Sequence, residues 1–307
     1  MRILVVGAGS VGGFFGARLV EAGRDVTFLV REKRAEQLRR AGLRILAHNG
    51  EQSTVAVKTI TAEQIDAPFD VILLAVKTYS LDDAMRDFAS AVGPETMILP
   101  LLNGMCHIDI LSARFGANAV LGGLSHISSD LDSEGRVKQL AHFEDLVYGE
   151  LSGADTPRIR ALAAVLANAG FDDQLVSNVD ALMWEKWVML SSSAVITCLL
   201  RGSIGDVVAV PGGRETALAI IAECAAVASA EGHPMSEPAM QFTKDRLTKP
   251  GSTFTASMYR DLQKGAPVEV ANVLGDLLAR GAARGVDTPN LRAACVQLGV
   301  YMKSREK

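Results

Sequence analysis

The chain has 307 residues, of which 49% are hydrophobic and 21% are charged, and its formal net charge is -4 at pH 7. This length is enough for about two domains with their own cores, and the charge excludes the strongly basic balance that nucleic-acid and anionic-membrane binders carry. The short apolar N-terminal stretch runs into glycines, so no signal peptide is predicted. The four cysteines form no C-x-x-C pair, which favours buried thiols in a reducing, cytoplasmic compartment over a disulfide framework or a metal site.

The first predicted element is an apolar strand, Arg2–Val6, that opens into a glycine-rich turn and a helix. Its glycines have the G-x-G-x-x-G spacing of the dinucleotide-binding fingerprint. One glycine permits a tight turn, the next lets backbone approach a pyrophosphate, and the third lets the helix pack closely on the strand. The N–H groups that begin the helix then point at the phosphates. The residues predicted to bind the dinucleotide are Gly7, Ala8, Gly9, Ser10, Val11 and Gly12.

The first half of the chain alternates short apolar strands with helical patterns. Further strands are predicted at Asp25–Val30, Val71–Val76, Met97–Leu101 and Val120–Ser125. Helices are predicted at Val11–Ala22, Glu32–Ala41, Leu81–Ala91 and Ile108–Phe115. A hairpin is predicted within Leu43–Ile60, and Arg136–Ala141 and Asp145–Gly149 read as an antiparallel extension. This alternation predicts an α/β fold with a mostly parallel sheet that binds ligands at the carboxyl ends of its strands.

Helical periodicity dominates from residue 178 onward, which predicts a dinucleotide-binding domain over residues 1–177 and an all-helical domain over residues 178–307. The predicted helices are Ala181–Leu200, Thr216–Glu231, Glu237–Leu247, Thr253–Lys264, Glu269–Arg284 and Asn290–Lys303. Ala181–Leu200 is apolar enough to suggest a membrane span, but Glu185, Lys186 and three consecutive serines favour a buried helix. A cleft between the two domains is the expected site.

Two basic residues follow predicted parallel strands, where a cofactor is expected. Arg31 ends the second strand, where a domain that prefers NAD carries an Asp or Glu for the ribose 2′-hydroxyl. A guanidinium suits a 2′-phosphate, so NADP is favoured. Glu32 follows at once, so NAD stays open, as does a plain solvated role for Arg31. Lys77 follows another apolar strand and is the second expected cofactor contact.

Lys186 is the leading candidate for chemistry. Hydride transfer to a ketone creates an alkoxide, so such a site needs a proton donor or a cation beside the carbonyl oxygen. The helical neighbours of Lys186 are apolar: Leu182, Met183, Met189 and Leu190. Desolvation of a lysine on such a face lowers its pKa toward a catalytic range. The alternative is a lysine that extends to solvent and pairs with a carboxylate.

Two further polar residues could join the same site, each with a structural alternative. Asn103 precedes Gly104 after a strand, and its amide could bridge nicotinamide and substrate, or it could form a plain Asn-Gly turn. Glu269 follows Gly265-Ala266-Pro267, so it could also favour a helix N-terminus through the dipole. Both alternatives stay open from the residues alone.

Taken in order, these motifs resemble the ketopantoate reductases, also called 2-dehydropantoate 2-reductases, over nearly the whole chain. The motifs are Gly7–Gly12, Arg31, Ala75-Val76-Lys77, Asn103-Gly104, Trp184-Glu185-Lys186 and Ser257–Asp261 followed by Glu269. The resemblance implies a Rossmann-type domain followed by a helical domain. It also implies NADPH-dependent reduction of a 2-oxo acid to a 2-hydroxy acid, here 2-dehydropantoate to pantoate in pantothenate biosynthesis.

The resemblance also implies roles for particular residues. Lys186 matches the proton donor, and Asn103 matches an asparagine that touches both cofactor and substrate. Ser257 matches a serine that binds substrate, and Glu269 matches an acidic residue at the junction of cofactor and substrate. The backbone near Ser128 would lie along the cofactor. No metal is implied; the small-molecule 2-oxo acid is the expected partner, and a homodimer is left open.

The chain departs from the family where substrate-binding asparagines are common. Leu190 and Ala194 occupy two such positions, four and eight residues after Lys186, and Ile204 corresponds to a third. Loss of these contacts leaves the polar groups of pantoate unpaired. Two alternatives stay open: a relative that reduces a more apolar 2-oxo acid, and an NADP-binding sensor without catalysis. Retention of Lys186, Ser257 and Glu269 argues against the sensor.

Overall fold

A computed structural model describes residues 1–305 of the chain, which divides into two compact units. The first unit contains Met1–Leu102 and His107–Asp180. The second contains Asn103–Cys106 and the chain from Ala181 onward. A four-residue segment that lies within the first half of the sequence therefore belongs to the second unit. The predicted domain boundary after residue 177 stays a prediction.

The strands of the first unit form two five-stranded sheets. They are β1 Arg2–Val6, β2 Asp25–Leu29, β3 Leu43–Leu46, β4 Gln52–Val55, β5 Lys58–Ile60, β6 Val71–Leu74, β7 Met97–Pro100, β8 Leu121–Leu131, β9 Val137–Glu150 and β10 Asp172–Leu175. The predicted hairpin is formed by β3 and β4, which pair antiparallel.

The first sheet has the strand order β5-β2-β1-β6-β7, and all its strands are parallel. Side chains of β1 alternate between two cores: Ile3 and Val5 pack in one, and Leu4 and Val6 pack in the other. A sheet that is covered on both faces in this way needs apolar residues throughout its strands. The direction of winding reverses between β1 and β6, and open parallel sheets bind ligands at the carboxyl ends of the strands beside such a reversal. The predicted α/β fold with a mostly parallel sheet is confirmed.

The second sheet has the order β10-β9-β3-β4, and β8 pairs antiparallel with β9. The two strands predicted at Arg136–Ala141 and Asp145–Gly149 are one continuous strand, β9. The prediction of a break was wrong because β8 pairs with both halves of β9. The register of that pairing shifts between Ile127 and Ser129.

The α-helices follow the predicted order, with several bounds displaced. They are α1 Ser10–Glu21, α2 Glu32–Ala41, α3 Leu81–Asp87, α4 Cys106–Phe115, α5 Pro157–Leu166, α6 Val179–Leu200, α7 Ile204–Val208, α8 Gly213–Ala230, α9 Glu237–Leu247, α10 Ser257–Gln263, α11 Asp276–Ala283 and α12 Pro289–Ser304. The predicted helix Thr253–Lys264 begins only at Ser257, because Ala256 is extended at the N-cap position.

The longest helix, α6, is buried along its second half, from Ser191 to Cys198. Its hydroxyl groups are partly accommodated along the helix itself, as Ser193 Oγ donates to the carbonyl of Leu190 at 2.8 Å and Thr197 Oγ1 donates to that of Ser193 at 2.7 Å. Within residues 1–305, no helix combines the length and apolarity that a membrane crossing requires.

The helix predicted at Glu269–Arg284 is interrupted. Ala271–Gly275 forms a single π-helical turn, called the π turn below, and α11 continues from Asp276. In a π turn the backbone bonds skip one residue further than in an α-helix, which makes a carbonyl available to other donors. The 3.6-residue periodicity of the sequence did not reveal this interruption.

Candidate active site

The glycine loop between β1 and α1 has a separate physical reason for each of its three fingerprint glycines. Gly7 has a φ of +97°, and a Cβ there would lie 2.8 Å from the carbonyl oxygen of Ala75. A Cβ on Gly12 would lie 2.1 Å from the oxygen of Gly7, so only glycine allows this approach of helix to loop. Around Gly9, by contrast, a Cβ would meet nothing within 4 Å. The loop therefore packs tightly at Gly7 and Gly12 and is open at Gly9, as the fingerprint requires.

The N-terminus of α1 fits a phosphate. Gly9 is its N-cap residue, and no side-chain cap and no acidic residue in the first turn compete for the N–H groups there. Unsatisfied N–H groups and the positive end of the helix dipole attract an anion. The open space at Gly9 and the uncapped helix start together fit the pyrophosphate of a dinucleotide.

Lys77 and Arg31 both follow strands that end beside this loop. Ala75, directly after β6, contacts Gly7 and Gly12, and Lys77 lies two residues further on with an exposed side chain. Arg31 follows β2, whose last residue Leu29 accepts a hydrogen bond from the N–H of Gly7 at 3.3 Å. The carboxyl edge of the sheet therefore brings both predicted basic residues to the glycine loop.

The two charged residues at the end of β2 have different partners. Arg31 is 77% exposed and lies 3.5 Å from the carboxylate of Asp83. Glu32 is paired with Arg39 further along α2. An exposed ion pair such as that of Arg31 contributes little stability, so an incoming phosphate can compete with Asp83 for the guanidinium.

Sequence reasoning missed Arg34, which supports the glycine loop. Its guanidinium donates to the carbonyl of Ala8 at 3.0 Å and to that of Gly135 at 3.1 Å. Burial, together with the nearby charge of Arg44, lowers the pKa of Arg34. The sequence pattern did not single out Arg34, because this residue lies among other charged residues at the start of α2.

Ser128, which the resemblance places along the cofactor, lies on β8 within the register shift between Ile127 and Ser129. Such irregularities change the direction in which a strand presents its groups. The expected role of Ser128 stays a prediction.

In the second unit, Lys186 lies on α6 and is half-buried. Desolvation disfavours its charged form and lowers its pKa to about 8. An amine with this pKa is mostly protonated at neutral pH and still gives up its proton readily. These are the properties of a general acid.

The helical turn that carries Lys186 is held from several sides. The indole N–H of Trp187 donates to the carbonyl of Val273 at 2.9 Å. Trp184 stacks on His233 with 4.7 Å between ring centroids. The adjacent Glu185 accepts a hydrogen bond from the backbone N–H of Ser236 at 3.0 Å.

The segment that contains Asn103 packs on the π turn. Gly104 has a φ of +87°, and a Cβ there would lie 2.7 Å from the carbonyl oxygen of Asn272. Cys106 Sγ lies 3.4 Å from Asn272 Nδ2 and 3.8 Å from its carbonyl oxygen, so the two residues bond reciprocally. Glu269 is half-buried just before the π turn, and its carbonyl accepts from the N–H of Val273 at 3.1 Å. One π turn therefore connects the segments that carry Asn103, Lys186 and Glu269.

Ser257 also lies in the second unit. It is the first residue of α10 and is exposed. Its helix is connected to the end of α6 by the hydroxyl of Tyr259, which donates to the carbonyl of Arg201 at 2.9 Å. The role of Ser257 in substrate binding stays a prediction.

The three departures from the family pattern differ in accessibility. Leu190, one turn beyond Lys186, is half-buried, whereas Ala194 is 3% exposed and Ile204 is fully buried. None of these side chains can donate or accept a hydrogen bond. Ser193 shares the helix face of Lys186, but its hydroxyl proton is already donated to Leu190.

The cysteines are less uniformly buried than predicted. Cys198 and Cys224 are buried, but Cys106 and Cys295 are only half-buried. Among the residues that the structure describes, no group of three or more His, Cys, Asp or Glu side chains is arranged to hold a metal ion.

A parallel sheet with a dinucleotide-type glycine loop, joined in one chain to a helical unit with a desolvated lysine, defines a class of two-unit oxidoreductases. Comparison with known proteins specifies the family. Residues 3–153 match the family model described as ketopantoate reductase PanE/ApbA, and residues 178–301 match its C-terminal counterpart. The chain belongs to the ketopantoate reductase family and is a 2-dehydropantoate 2-reductase-like oxidoreductase.

Individual relatives cover almost the whole chain. An uncharacterized oxidoreductase, YkpB, from Bacillus subtilis (strain 168) is 36% identical over 302 residues, covering 98% of this chain and 99% of the relative. The crystal structure of 2-dehydropantoate 2-reductase from Geobacter metallireducens GS-15 is 29% identical with a TM-score of 0.87, covering 97% of this chain and 99% of that one. The ternary structure of D-mandelate dehydrogenase with NADH and anilino(oxo)acetate covers both chains fully at 22% identity and a TM-score of 0.87, which shows the fold alone.

The contrast between Gly9 and Gly12 yields a test of the glycine loop. We expect Gly9→Ala to fold with unchanged stability, because its φ of -83° suits alanine and its Cβ meets no protein atom. The new methyl group enters the space that fits the pyrophosphate, so dinucleotide affinity should fall by about tenfold or more. Calorimetric titration and thermal unfolding measure the two effects.

Gly12→Ala is the matched comparison, because its Cβ would lie 2.1 Å from the Gly7 oxygen and should destabilise the loop even without a ligand. Wild-type dinucleotide affinity in Gly9→Ala would contradict the assignment of this space to the pyrophosphate.

Proposed function

We propose that the protein catalyses the NADPH-dependent reduction of a 2-oxo acid to a 2-hydroxy acid, with 2-dehydropantoate as the leading substrate and Lys186 as the proton donor. The observation that carries this proposal is the half-buried Lys186, with a pKa lowered to about 8, on a helix held by the same π turn that contacts the Asn103 segment and follows Glu269. A cytoplasmic location, a role in pantothenate biosynthesis, a homodimer and a domain boundary after residue 177 belong to the same proposal.

In this proposal, one group of residues binds the cofactor and Lys186 acts on the substrate ketone. Bound NADPH supplies the hydride. Gly7–Gly12 and the start of α1 bind the pyrophosphate, and Lys77 and Arg31 bind phosphate groups of the cofactor by their charge. The ammonium of Lys186 donates a hydrogen bond to the ketone oxygen, stabilises its developing negative charge and transfers a proton to it.

Three polar residues orient the reactants in this proposal. Asn103 donates its amide to the cofactor and the substrate, and Ser257 binds the polar end of the substrate. Glu269 accepts a hydrogen bond at the junction of the two. The backbone near Ser128 lies along the cofactor. These assignments rest on the family motifs together with the position of Asn103 and Glu269 beside the π turn.

Lys186 is the decisive residue for the proposed chemistry. We expect Lys186→Ala to lower kcat by about 100-fold or more, the usual contribution of a positioned general acid, while the Kd for NADPH changes less than about twofold. In the wild type, kcat for reduction should fall as pH rises above about 8, because the neutral amine cannot donate the proton. Steady-state kinetics between pH 6 and about 10, with NADPH binding measured by fluorescence, would check both expectations.

Lys186→Arg is the matched control, because it keeps a positive charge that cannot act as an acid in this pH range. It should lose the alkaline limb of the pH profile together with most of the turnover. Full activity in Lys186→Ala would show that the proton comes from another group.

Arg31 and Asp83 provide a test of cofactor choice. We propose a preference for NADP over NAD because Arg31 ends β2 with an exposed guanidinium, while Glu32 is occupied by Arg39. Arg31→Ala should raise the KM for NADPH by about tenfold and leave that for NADH nearly unchanged, because only NADPH carries the 2′-phosphate.

Asp83→Asn is the complementary variant, since it removes the carboxylate that competes for Arg31 and should tighten NADPH binding modestly. Equal effects of Arg31→Ala on both cofactors would contradict a 2′-phosphate contact.

A more apolar 2-oxo acid is the second candidate substrate. Leu190 and Ala194 offer no hydrogen bond to a substrate hydroxyl on the helix face of Lys186, and Leu190 is the more accessible of the two. An apolar side chain next to the substrate favours a branched hydrocarbon substituent over a hydroxylated one.

A panel of 2-oxo acids, assayed by NADPH consumption, distinguishes the two candidates. We expect Leu190→Asn to raise kcat/KM for 2-dehydropantoate relative to branched apolar 2-oxo acids by about tenfold, because the amide can bond the substrate hydroxyl. Leu190→Met, which stays apolar, should leave the ratio within about twofold. A wild-type preference for branched 2-oxo acids would establish the second candidate, and an unchanged ratio in Leu190→Asn would remove Leu190 from the substrate contacts.

A further inference from the structure

The π turn offers its carbonyl groups to two other segments of the second unit. The carbonyl of Val273 accepts the indole N–H of Trp187 at 2.9 Å, and that of Asn272 lies against Gly104 and Cys106. Glu269 lies two residues before the turn begins. A π turn departs from the regular backbone bonding of an α-helix, which favours contacts of this kind between its carbonyls and other segments.

Trp187 makes its contact in a buried environment. The side chain of Trp187 is 1% exposed and that of Val273 is 4% exposed. A buried indole N–H without an acceptor is costly, which gives this single bond strong control over the position of the ring. The ring is confined further by the guanidinium of Arg280, 5.9 Å from its centroid, and Arg280 is paired with Asp276 at 3.1 Å and with Glu231 at 3.2 Å.

The contact has a direct geometric effect on Lys186. Trp187 is its neighbour on α6, and consecutive side chains of an α-helix diverge by about 100°. The two side chains therefore leave the helix on different faces, and the ring does not block the lysine. A bond that fixes the rotation of this turn through Trp187 also fixes the direction in which the Lys186 side chain leaves the helix.

We propose that Trp187 is a positioning residue for the reduction: its hydrogen bond to Val273 fixes the turn of α6 that carries Lys186 against the π turn, which keeps the amine in its half-buried position and aligned with Glu269 and Asn103. This inference rests on the proposed role of Lys186 as proton donor. Trp187 itself contacts neither substrate nor cofactor in this proposal.

The primary test is Trp187→Phe, which keeps an aromatic ring and removes the N–H. We expect kcat for 2-oxo acid reduction to fall about tenfold, while the Kd for NADPH stays within about twofold. Entry of water around Lys186 should also move the alkaline limb of the kcat profile from about pH 8 toward the ordinary lysine range. A merely structural role would not move that limb.

Ile196→Ala provides the control for lost packing. Ile196 is a fully buried residue of the same helix, and its truncation leaves a cavity of the kind that destabilises the fold. Its kcat and its alkaline limb should match those of the wild type at temperatures below unfolding. If Trp187→Phe behaves as Ile196→Ala does, Trp187 contributes to stability alone and the proposal is wrong. A lower kcat with an unmoved limb would also overturn the proposal, because the surroundings of Lys186 would then be unchanged.

A second replacement covers the case in which Trp187→Phe does not fold. Incorporation of benzothienylalanine at position 187 puts sulfur in place of the indole N–H and keeps the shape of the ring. This protein should show the same lower kcat and the same displaced limb, and wild-type values for both would overturn the proposal. Lys186→Ala distinguishes a failure of the positioning role from a failure of the proposed proton donor. Full activity of Lys186→Ala would refute Lys186 as the proton donor. If Lys186→Ala is inactive and the variant at position 187 has wild-type kinetics, only the positioning role of Trp187 is refuted.

Discussion

Desolvation of a single amine constrains the second unit. Burial of Lys186 lowers its pKa to about 8, so at neutral pH the folded chain holds a mostly charged amine in surroundings that solvate the charge less well than water does. Folding is weakened below the folded-state pKa and recovers as pH rises toward the pKa of the unfolded chain. Several contacts hold the turn of α6 that carries this amine: Trp184 stacks on His233, Trp187 donates its indole N–H to Val273, and the Arg280 guanidinium lies near both indole rings.

The first unit has a different constraint, which is the close approach of the start of α1 to the backbone of the glycine loop. At Gly12 even one carbon atom would collide with the loop, whereas Gly9 has open space around it. The first unit is thus constrained by the absence of side-chain atoms at its loop, whereas the second is constrained by the burial of one amine.

The sequence predicted the features that depend on local physics. The glycine spacing, the apolar strands and the bounds of α2 and α9 follow from residues that are near neighbours in the chain. The π turn was missed because Ala271–Gly275 keeps helical periodicity, and only distant donors such as Trp187 and Cys106 use its carbonyls. Arg34 was missed for the same reason, since its acceptors Ala8 and Gly135 lie far from it in sequence. The resemblance to a family supplied residue roles that periodicity does not give.

The assignment of Asn103–Cys106 to the second unit has a consequence for how the protein can be divided. The polypeptide passes from one unit to the other at three places, after Leu102, Cys106 and Asp180, so no single cut separates them. A truncated chain that began at residue 178 would lack the strip of backbone that packs on Asn272. Chimeras with related reductases would need to exchange that strip together with the helical half, or else pair a π turn with a foreign loop.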